Sequence, residues 1–176
     1  MQKYTSKNTS INSKKIPALF SKFSFEGKSV LDYGCGKYPE IIREYVESCS
    51  GRYFGYDPYN LGNEIPKSQT FDVVTISNVL NVIQEDEVIE GIIREAMKIA
   101  NTAIVSIYEG DKSGIGRMTK RDCYQRNQSR DWYYNFISNM GYKAEIKSIS
   151  TPARVTHGFR CSPLHGIKCE AKKVQI

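Results

Sequence analysis

Apolar residues in this chain fall into two kinds of run: short, nearly continuous ones and longer ones with helical spacing. The short runs predict strands at 29–33, 52–57, 71–77 and 102–108. Apolar residues three and four apart predict helices at 16–25, 85–100 and 132–140, and a further helix that begins at Pro39 and stops before Gly51. Two more strands are predicted near 142–149 and 167–174.

The order of these elements predicts an α/β fold. Because strands alternate with helices, we expect a mostly parallel sheet with helices on both faces, which gives three layers. Residues 1–15 are polar and without periodicity, so they predict an irregular arm. The length of 176 residues predicts a single domain over 1–176.

The composition points to a location. No apolar run approaches the roughly 20 residues that span a bilayer, and the first fifteen residues lack the apolar stretch of a secretory signal. The five cysteines are odd in number and form no CxxC pair, which argues against a secreted disulfide framework. We therefore expect a cytoplasmic protein with reduced thiols and no membrane partner.

The strongest chemical signal is the turn after the first strand, Asp32-Tyr33-Gly34-Cys35-Gly36. A buried strand ends in an acid, and a glycine-spaced turn opens into a helix, as in nucleotide-binding folds. Asp57 ends the second strand, at the place where an acid accepts hydrogen bonds from ribose hydroxyls in such folds. The two features together predict a cofactor site at the carboxyl ends of the strands.

On these residues the sequence resembles the class I S-adenosylmethionine-dependent methyltransferases, over about residues 27–110. The resemblance implies a Rossmann-like sandwich, S-adenosyl-L-methionine as cofactor and methyl transfer as the activity. It also implies that Asp32 and the glycine loop lie near the methionine moiety and that Asp57, followed by Pro58, holds the ribose. The loop Ser77-Asn78-Val79-Leu80 would border the methyl group.

The chain departs from that family between its second strand and FDVV. Only thirteen residues, 58–70, lie there, too few for the usual helix and third strand, so we expect a sheet shortened at this edge. The adenine contact is therefore left open, with Ser68, Gln69 and Thr70 as positional candidates. A nicotinamide cofactor is the weaker alternative, because Pro39 stands where GxGxxG has its third glycine.

Candidate catalytic groups follow the third and fourth of these strands. The side-chain amide of Asn78 could orient an acceptor, and either Glu109 or Asp111 could act as a general base, although solvated acids are common in such loops. Asp57-Pro58-Tyr59-Asn60 is not the catalytic motif of DNA amino-methylating enzymes, because it follows strand two. Cys35 is a candidate thiol, or simply a small residue in a tight loop.

Charge is unevenly distributed, and one basic stretch suggests an acceptor. Residues 29–116 hold seven basic and fourteen acidic side chains, whereas both ends of the chain are basic. The segment 111–130 combines cations with an aromatic ring, which suits phosphate contact and base stacking. Its candidate substrate-binding residues are Arg117, Lys120, Arg121, Tyr124 and Arg126.

Three functions remain open at this point. Methyl transfer to a nucleic acid or another phosphate-bearing acceptor is the first, and a small-molecule acceptor the second. The third is a noncatalytic module that binds S-adenosylmethionine or a partner. The arm residues 8–12 could close over the cofactor. No metal is expected, although His157, Cys161, His165 and Cys169 recur at intervals of four, because Pro163 breaks any helix that would align them.

Overall fold

The computed structural model describes residues 14–62, 64–65, 68–119 and 123–147, together with the backbone of 165–170. The arm at 1–13 and the cysteine and histidine of 157–161 lie outside these residues. None of the described helices has both the length and the apolar character needed to cross a membrane.

The main sheet has six strands in the order β2-β1-β3-β4-β8-β7. Strands β1 to β4 are parallel, and β8 runs antiparallel between β4 and β7. The mostly parallel sheet is confirmed. The strands are β1 Ser29–Tyr33, β2 Arg52–Tyr56, β3 Val73–Ser77, β4 Thr102–Ile107, β7 Lys143–Lys147 and β8 His165–Glu170.

Helices cover both faces of this sheet, as predicted. A 3-10 helix at Ala18–Lys22 and α1 at Glu40–Ser48 pack on one face through Leu19, Phe20, Ile42 and Val46. Helices α2 at Asp86–Ile99 and α3 at Arg130–Asn139 pack on the other face through Ile89, Ile93, Tyr133 and Ile137. In each helix, the regularly spaced apolar residues from which it was predicted form the stripe that it buries against the sheet.

Strand β2 is the edge of the sheet, and among the described residues no strand lies beyond it. The predicted shortening is therefore confirmed. After β2, the chain makes a turn at 58–61 and then returns to β3. A cavity of about 170 Å³ lies between β2 and this connection, and its lining includes Phe54, Ile65, Gln69 and Phe71.

Two helix boundaries differ from the predictions. The helix expected at 16–25 is only the five-residue 3-10 helix, because Pro17 precedes it and the chain is extended again at Phe23. Pro39 lies one position before α1 rather than at its first residue. Helix α1 is ended by Ser50, whose φ is 59°, while Gly51 has no room for a Cβ between Phe25 and Val46.

The segment 111–130 contains a small hairpin of its own. Its strands are β5 Arg117–Met118 and β6 Tyr124–Gln125, paired antiparallel in a separate two-stranded sheet. A 3-10 helix at Leu80–Val82 follows β3 on the same side of the molecule, and a backbone hydrogen bond of 2.8 Å joins Arg126 N–H to the Asn81 carbonyl. The hairpin therefore lies next to the loop that follows β3.

Candidate active site

The candidate site lies where β1, β2, β3 and β4 end. Because these strands are parallel, the loops that follow them meet at one edge of the sheet, where ligands bind in open α/β folds. The glycine loop, Asp57, the 77–80 loop and Glu109 all belong to this edge. These predicted candidates therefore lie together at the carboxyl ends of the strands.

The two glycines of the loop have different surroundings. Both have positive φ, 75° at Gly34 and 73° at Gly36, a conformation that glycine adopts without strain. A Cβ on Gly34 would lie 2.6 Å from Cγ2 of Val79, whereas a Cβ on Gly36 would meet no atom within 4 Å. Gly34 thus permits close packing on the 77–80 loop, and Gly36 leaves open space along its backbone.

The carboxylate of Asp57 binds donors from its own turn and from the glycine loop. Oδ1 accepts the amides of Tyr59 at 2.9 Å and Asn60 at 2.7 Å. Oδ2 accepts the amide of Gly36 at 3.0 Å and the side-chain nitrogen of Asn60 at 3.0 Å. A carboxylate has about four lone-pair sites, so a ribose hydroxyl would have to replace one of these donors. Asn60, an exposed residue, offers the donor that can leave most easily.

Asp32 is buried beneath the loop rather than facing the ligand side. It is 1% exposed, and its carboxyl accepts the hydroxyl of Thr75 at 2.9 Å and that of Tyr53 at 3.1 Å. Burial raises its pKa to about 6, against the lowering effect of these two hydrogen bonds and with a smaller contribution from the charge of Asp57. Asp32 therefore links β1, β2 and β3 at the base of the site.

Three predicted cofactor residues have side chains inside the protein. The Tyr33 ring packs in the core beside Tyr56, and its hydroxyl donates to Glu95. Leu80 is fully buried in the same core. Cys35 is also buried, and burial raises the pKa of its thiol to about 12. We therefore correct the expectation for these residues: Tyr33 and Leu80 can meet a ligand only through their backbone, and Cys35 is a small packing residue rather than a thiolate.

Other residues of the predicted cofactor set range from buried to exposed. Asn78 is half-buried with φ at 57°, and its backbone amide donates to the Ser106 carbonyl at 2.7 Å. Ser77 is buried and Pro58 is exposed. The left-handed conformation of Asn78 turns the chain sharply after β3, which brings Val79 against Gly34.

Glu109 does not have the free carboxylate expected of a general base. It is 3% exposed; Oε1 accepts the amide of Arg130 at 2.7 Å, and Oε2 pairs with Nζ of Lys112 at 3.2 Å. The acid therefore holds the first turn of α3, where a negative charge is favourable. This corrects its predicted role. Asp111, the other candidate base, is an exposed side chain, and hydrogen bonds from Ser113 lower its pKa.

The hairpin separates the candidate substrate residues. Arg117 is exposed and 3.7 Å from Asp111, and the hydroxyl of Tyr124 occupies the space where Gly116 lacks a side chain. Arg126 is 7% exposed and binds carbonyl oxygens, so its predicted phosphate contact is corrected to an internal role. Lys120 and Arg121 lie outside the described residues.

One residue that contributes to the site was not predicted from the sequence. Asn60 was quoted only as part of a rejected motif, although Asp-Pro-Tyr-Asn after a strand is a turn signal whose acid binds its own backbone. Of the adenine candidates, Gln69 lines the cavity beside β2, whereas Ser68 and Thr70 are exposed.

No metal-binding group emerges within the described part of the chain, where no three His, Cys, Asp or Glu side chains come together. His157 and Cys161 lie outside it, and His165 and Cys169 are in β8, described here by its backbone alone. The prediction of no metal at these four residues stays a prediction.

Comparison with known proteins supports the fold through structure rather than sequence. No protein-family profile and no curated protein sequence matches this chain. Among solved structures, it is similar to 1,6-didemethyltoxoflavin-N1-methyltransferase of Burkholderia thailandensis, bound to 1,6-didemethyltoxoflavin and S-adenosylhomocysteine. That match has a TM-score of 0.63 and 13% identity, covering 91% of this chain and 78% of that one.

Two further structures agree. An S-adenosylmethionine-dependent methyltransferase of Mesorhizobium loti has a TM-score of 0.59 at 9% identity, covering 88% of this chain and 96% of that one. DhpI in complex with S-adenosylhomocysteine has a TM-score of 0.53 at 11% identity, with 89% and 84% covered. With the parallel strands and the glycine loop described above, these likenesses establish that the chain has the fold of the class I S-adenosylmethionine-dependent methyltransferases, with a sheet that is shortened at the β2 edge.

Proposed function

We propose that this protein binds S-adenosylmethionine at the glycine loop and transfers its methyl group to an acceptor. The observation that carries this proposal is the hydrogen bond between Gly36 and Asp57, which joins the loop after β1 to the acid after β2. Open space borders Gly36 on this unit, so the chain provides a cradle without side chains for a ligand. Two proteins of the same fold were crystallised with S-adenosylhomocysteine.

The chain's own residues divide the work of binding. The open backbone at Gly36 would hold the methionine part, and Asp57, with Pro58 beside it, would hold the ribose. Asn78 would border the reacting group from the loop after β3. When bound, the sulfonium cofactor supplies an electrophilic methyl group, which an acceptor nucleophile can attack without covalent help from the protein.

Alignment and exclusion of water are the contributions we assign to the protein. Glu109 is engaged by Arg130 and Lys112, and Asp32 is enclosed by Thr75 and Tyr53. Methyl transfer by in-line attack gains most from holding the two partners in position, so a dedicated base is not required. The wall that aligns the acceptor would consist of the loop after β3 and the hairpin β5–β6.

A small molecule is our first choice of acceptor. The structurally similar Burkholderia protein was crystallised with the small molecule 1,6-didemethyltoxoflavin. In the basic segment of this chain, the guanidinium of Arg126 is buried and binds internal acceptors rather than facing a ligand. A phosphate-bearing acceptor, nucleic acid included, is the second proposal, supported by exposed Arg117. Binding of a labelled oligonucleotide should then weaken steeply between 50 and 200 mM salt, by about a hundredfold or more for several phosphate contacts. A flat salt response would exclude it.

Calorimetric titration tests the cofactor proposal directly. S-adenosylmethionine should bind the wild type and NAD should not, and Asp57→Ala should weaken binding by at least about tenfold, because the loss removes charge-assisted hydrogen bonds. Asp131→Ala is the matched control, since Asp131 is an exposed aspartate in the first turn of α3. A preference for NAD, or equal affinity in both variants, would overturn the proposal.

A noncatalytic cofactor-binding module is the alternative that uses the same site. Incubation with S-adenosylmethionine labelled in its methyl group and a metabolite extract separates the two. Transfer of label that depends on Asp57 supports the enzyme; tight cofactor binding with no acceptor among metabolites, nucleic acids or proteins supports the module.

A further inference from the structure

Arg126 is an almost fully buried arginine between the hairpin and the loop that follows β3. Nη1 donates to the carbonyl oxygens of Ile83 and Gln84, both at 3.0 Å, and Nη2 binds the carboxylate of Asp86. Ile83 and Gln84 lie in the connection between the Leu80–Val82 helix and α2, and Asp86 is the first residue of α2. The guanidinium therefore closes the end of the loop that follows β3.

Two further contacts attach Arg126 to other elements. Its backbone amide donates to the Asn81 carbonyl at 2.8 Å, and its Cζ lies 4.6 Å from the ring centroid of Trp132 in α3. A planar guanidinium can bind two carbonyls and a carboxylate while stacking on an aromatic ring, which an ammonium group cannot. The geometry thus depends on arginine itself and not only on positive charge.

Because β5 and β6 form a sheet separate from the main one, the hairpin is attached without strand pairing, by the backbone hydrogen bond of Arg126 and by side chains. The side chain of Gln125 donates to the Tyr108 carbonyl at 3.2 Å, which holds the hairpin to the end of β4. Asn127 Nδ2 donates to the Ile115 carbonyl at 2.9 Å, which holds the two arms of the segment together. Arg126 lies between these two residues and supplies contacts to the loop after β3.

A continuous series of contacts therefore leads from the glycine loop to the hairpin. Gly34 packs on Val79, Leu80 is locked in the core, and the residues that follow at 83–86 are bound by Arg126. One end of this series is the glycine loop at the carboxyl ends of the strands, and the other is the hairpin, to which we assign the acceptor side of the proposed site. Packed and hydrogen-bonded contacts of this kind carry energetic coupling when both sites shift the same element.

We propose that Arg126 is a positioning residue that couples the cofactor-side loop 78–85 to the acceptor-side hairpin 117–125. Its role is to fix the two walls of the site relative to each other, in place of the direct phosphate contact that its sequence context predicts. The role of Arg126 in catalysis rests on the proposed function, whereas the coupling between the two segments is a property of the free protein.

Hydrogen exchange measured by mass spectrometry tests the coupling. In the free protein, Asp86→Asn should speed exchange in peptides covering 117–125 by about fivefold, the effect of losing roughly one net hydrogen bond, although Asp86 lies outside the hairpin. Arg126→Lys should do the same, and Arg126→Met should do so more strongly. Arg94→Met is the matched control, because Arg94 pairs with Glu90 on the exposed side of α2.

The ligand arm uses S-adenosylhomocysteine. In the wild type it should slow exchange in both 78–85 and 117–125, and in Arg126→Lys it should slow 78–85 alone while its Kd changes by less than about threefold. A purely structural role would not produce this split between the two segments.

Three results would overturn the inference. The first is a hairpin exchange rate in both Asp86→Asn and Arg126→Lys that equals the wild-type rate. The second is that S-adenosylhomocysteine slows exchange of 117–125 in Arg126→Lys as much as in the wild type. The third is a uniform increase of exchange rates that includes the amides of β1 to β4. Failure of S-adenosylhomocysteine to bind the wild type would contradict the proposed function instead, and the free-protein arm would still decide whether Arg126 couples the two segments.

Discussion

The amide of Gly36 and the carboxylate of Asp57 are joined by a hydrogen bond of 3.0 Å, although 21 positions separate them in the chain. The glycine loop after β1 and the turn after β2 therefore form one unit. Anything that displaces a donor from Asp57 acts on both, and this links the affinity for a ribose to the conformation of the loop.

Asn60→Ala should tighten S-adenosylmethionine binding by about two- to fivefold, the equivalent of about 0.5–1 kcal/mol. The Asn60 side chain binds Oδ2 of Asp57, and its removal frees an acceptor for the ribose before the cofactor arrives. Calorimetry measures the change. Weaker binding in Asn60→Ala would instead make Asn60 a direct cofactor contact, so its competing role would be wrong.

Gly34→Ala should mainly reduce stability, whereas Gly36→Ala should mainly reduce the affinity for the cofactor. A Cβ at 34 meets Val79 and adopts a strained φ, so we expect a loss of about 2 kcal/mol in the free energy of unfolding. Gly36→Ala should cost only about 1 kcal/mol of stability but weaken cofactor binding, since its Cβ enters the open space.

Urea unfolding and calorimetry on both glycine variants provide the measurement. The double variant Gly34→Ala with Val79→Ala should recover part of the lost stability, because the two sites are in contact. Equal stability of the two single variants would contradict the assignment of close packing to Gly34.

Asp32 should make stability depend on pH in an unusual direction for an acid. Its pKa is raised from 3.8 to about 6, so its contribution to stability is fully present below 3.8 and is lost as the pH rises through about 6. Comparing urea unfolding of the wild type and Asp32→Asn from pH 4 to pH 8 isolates this contribution. The stability of the variant relative to the wild type should rise between pH 4 and pH 6 and then level off; parallel curves would show that folding does not raise the pKa of this carboxyl.

Glu109→Ala should destabilise the protein by about 1–3 kcal/mol, because the Arg130 amide at the start of α3 loses its acceptor, the buried Glu109 carboxylate. Glu109→Gln keeps an oxygen for that amide and should recover much of the loss. Thermal and urea unfolding compare the two, with Glu87→Ala, on the exposed surface of α2, as a control. If both variants are as stable as the wild type, Glu109 does not hold α3.

The strands and helices were largely predictable because their apolar periodicity is local. The insertion of β8 between β4 and β7 was not, since strand order is set by pairing between distant segments such as Thr102 with Glu170. The shortened edge was predictable from a simple count, because thirteen residues cannot supply a helix and a strand.

Within the site, positions were more predictable than states. The sequence placed Asp57 and the glycine loop at one edge, but not the four donors that engage the carboxylate, which depend on the turn at 58–60. Arg126 was misinterpreted because it stands in a basic run, whereas its partners are backbone carbonyls, which no side-chain pattern reveals. Glu109 was misinterpreted in the same way, since its partner is an amide.

The separate two-stranded sheet of the hairpin has a consequence for how this protein could be redesigned. Strands β5 and β6 share no ladder with the main sheet, so the connection between Met118 and Tyr124 can be exchanged or lengthened without breaking strand pairing in the core. The anchoring side chains lie at the base of the hairpin, at Gln125, Arg126 and Asn127. A library confined to this connection would therefore test the proposed role of the hairpin in acceptor binding without changing the strands of the main sheet.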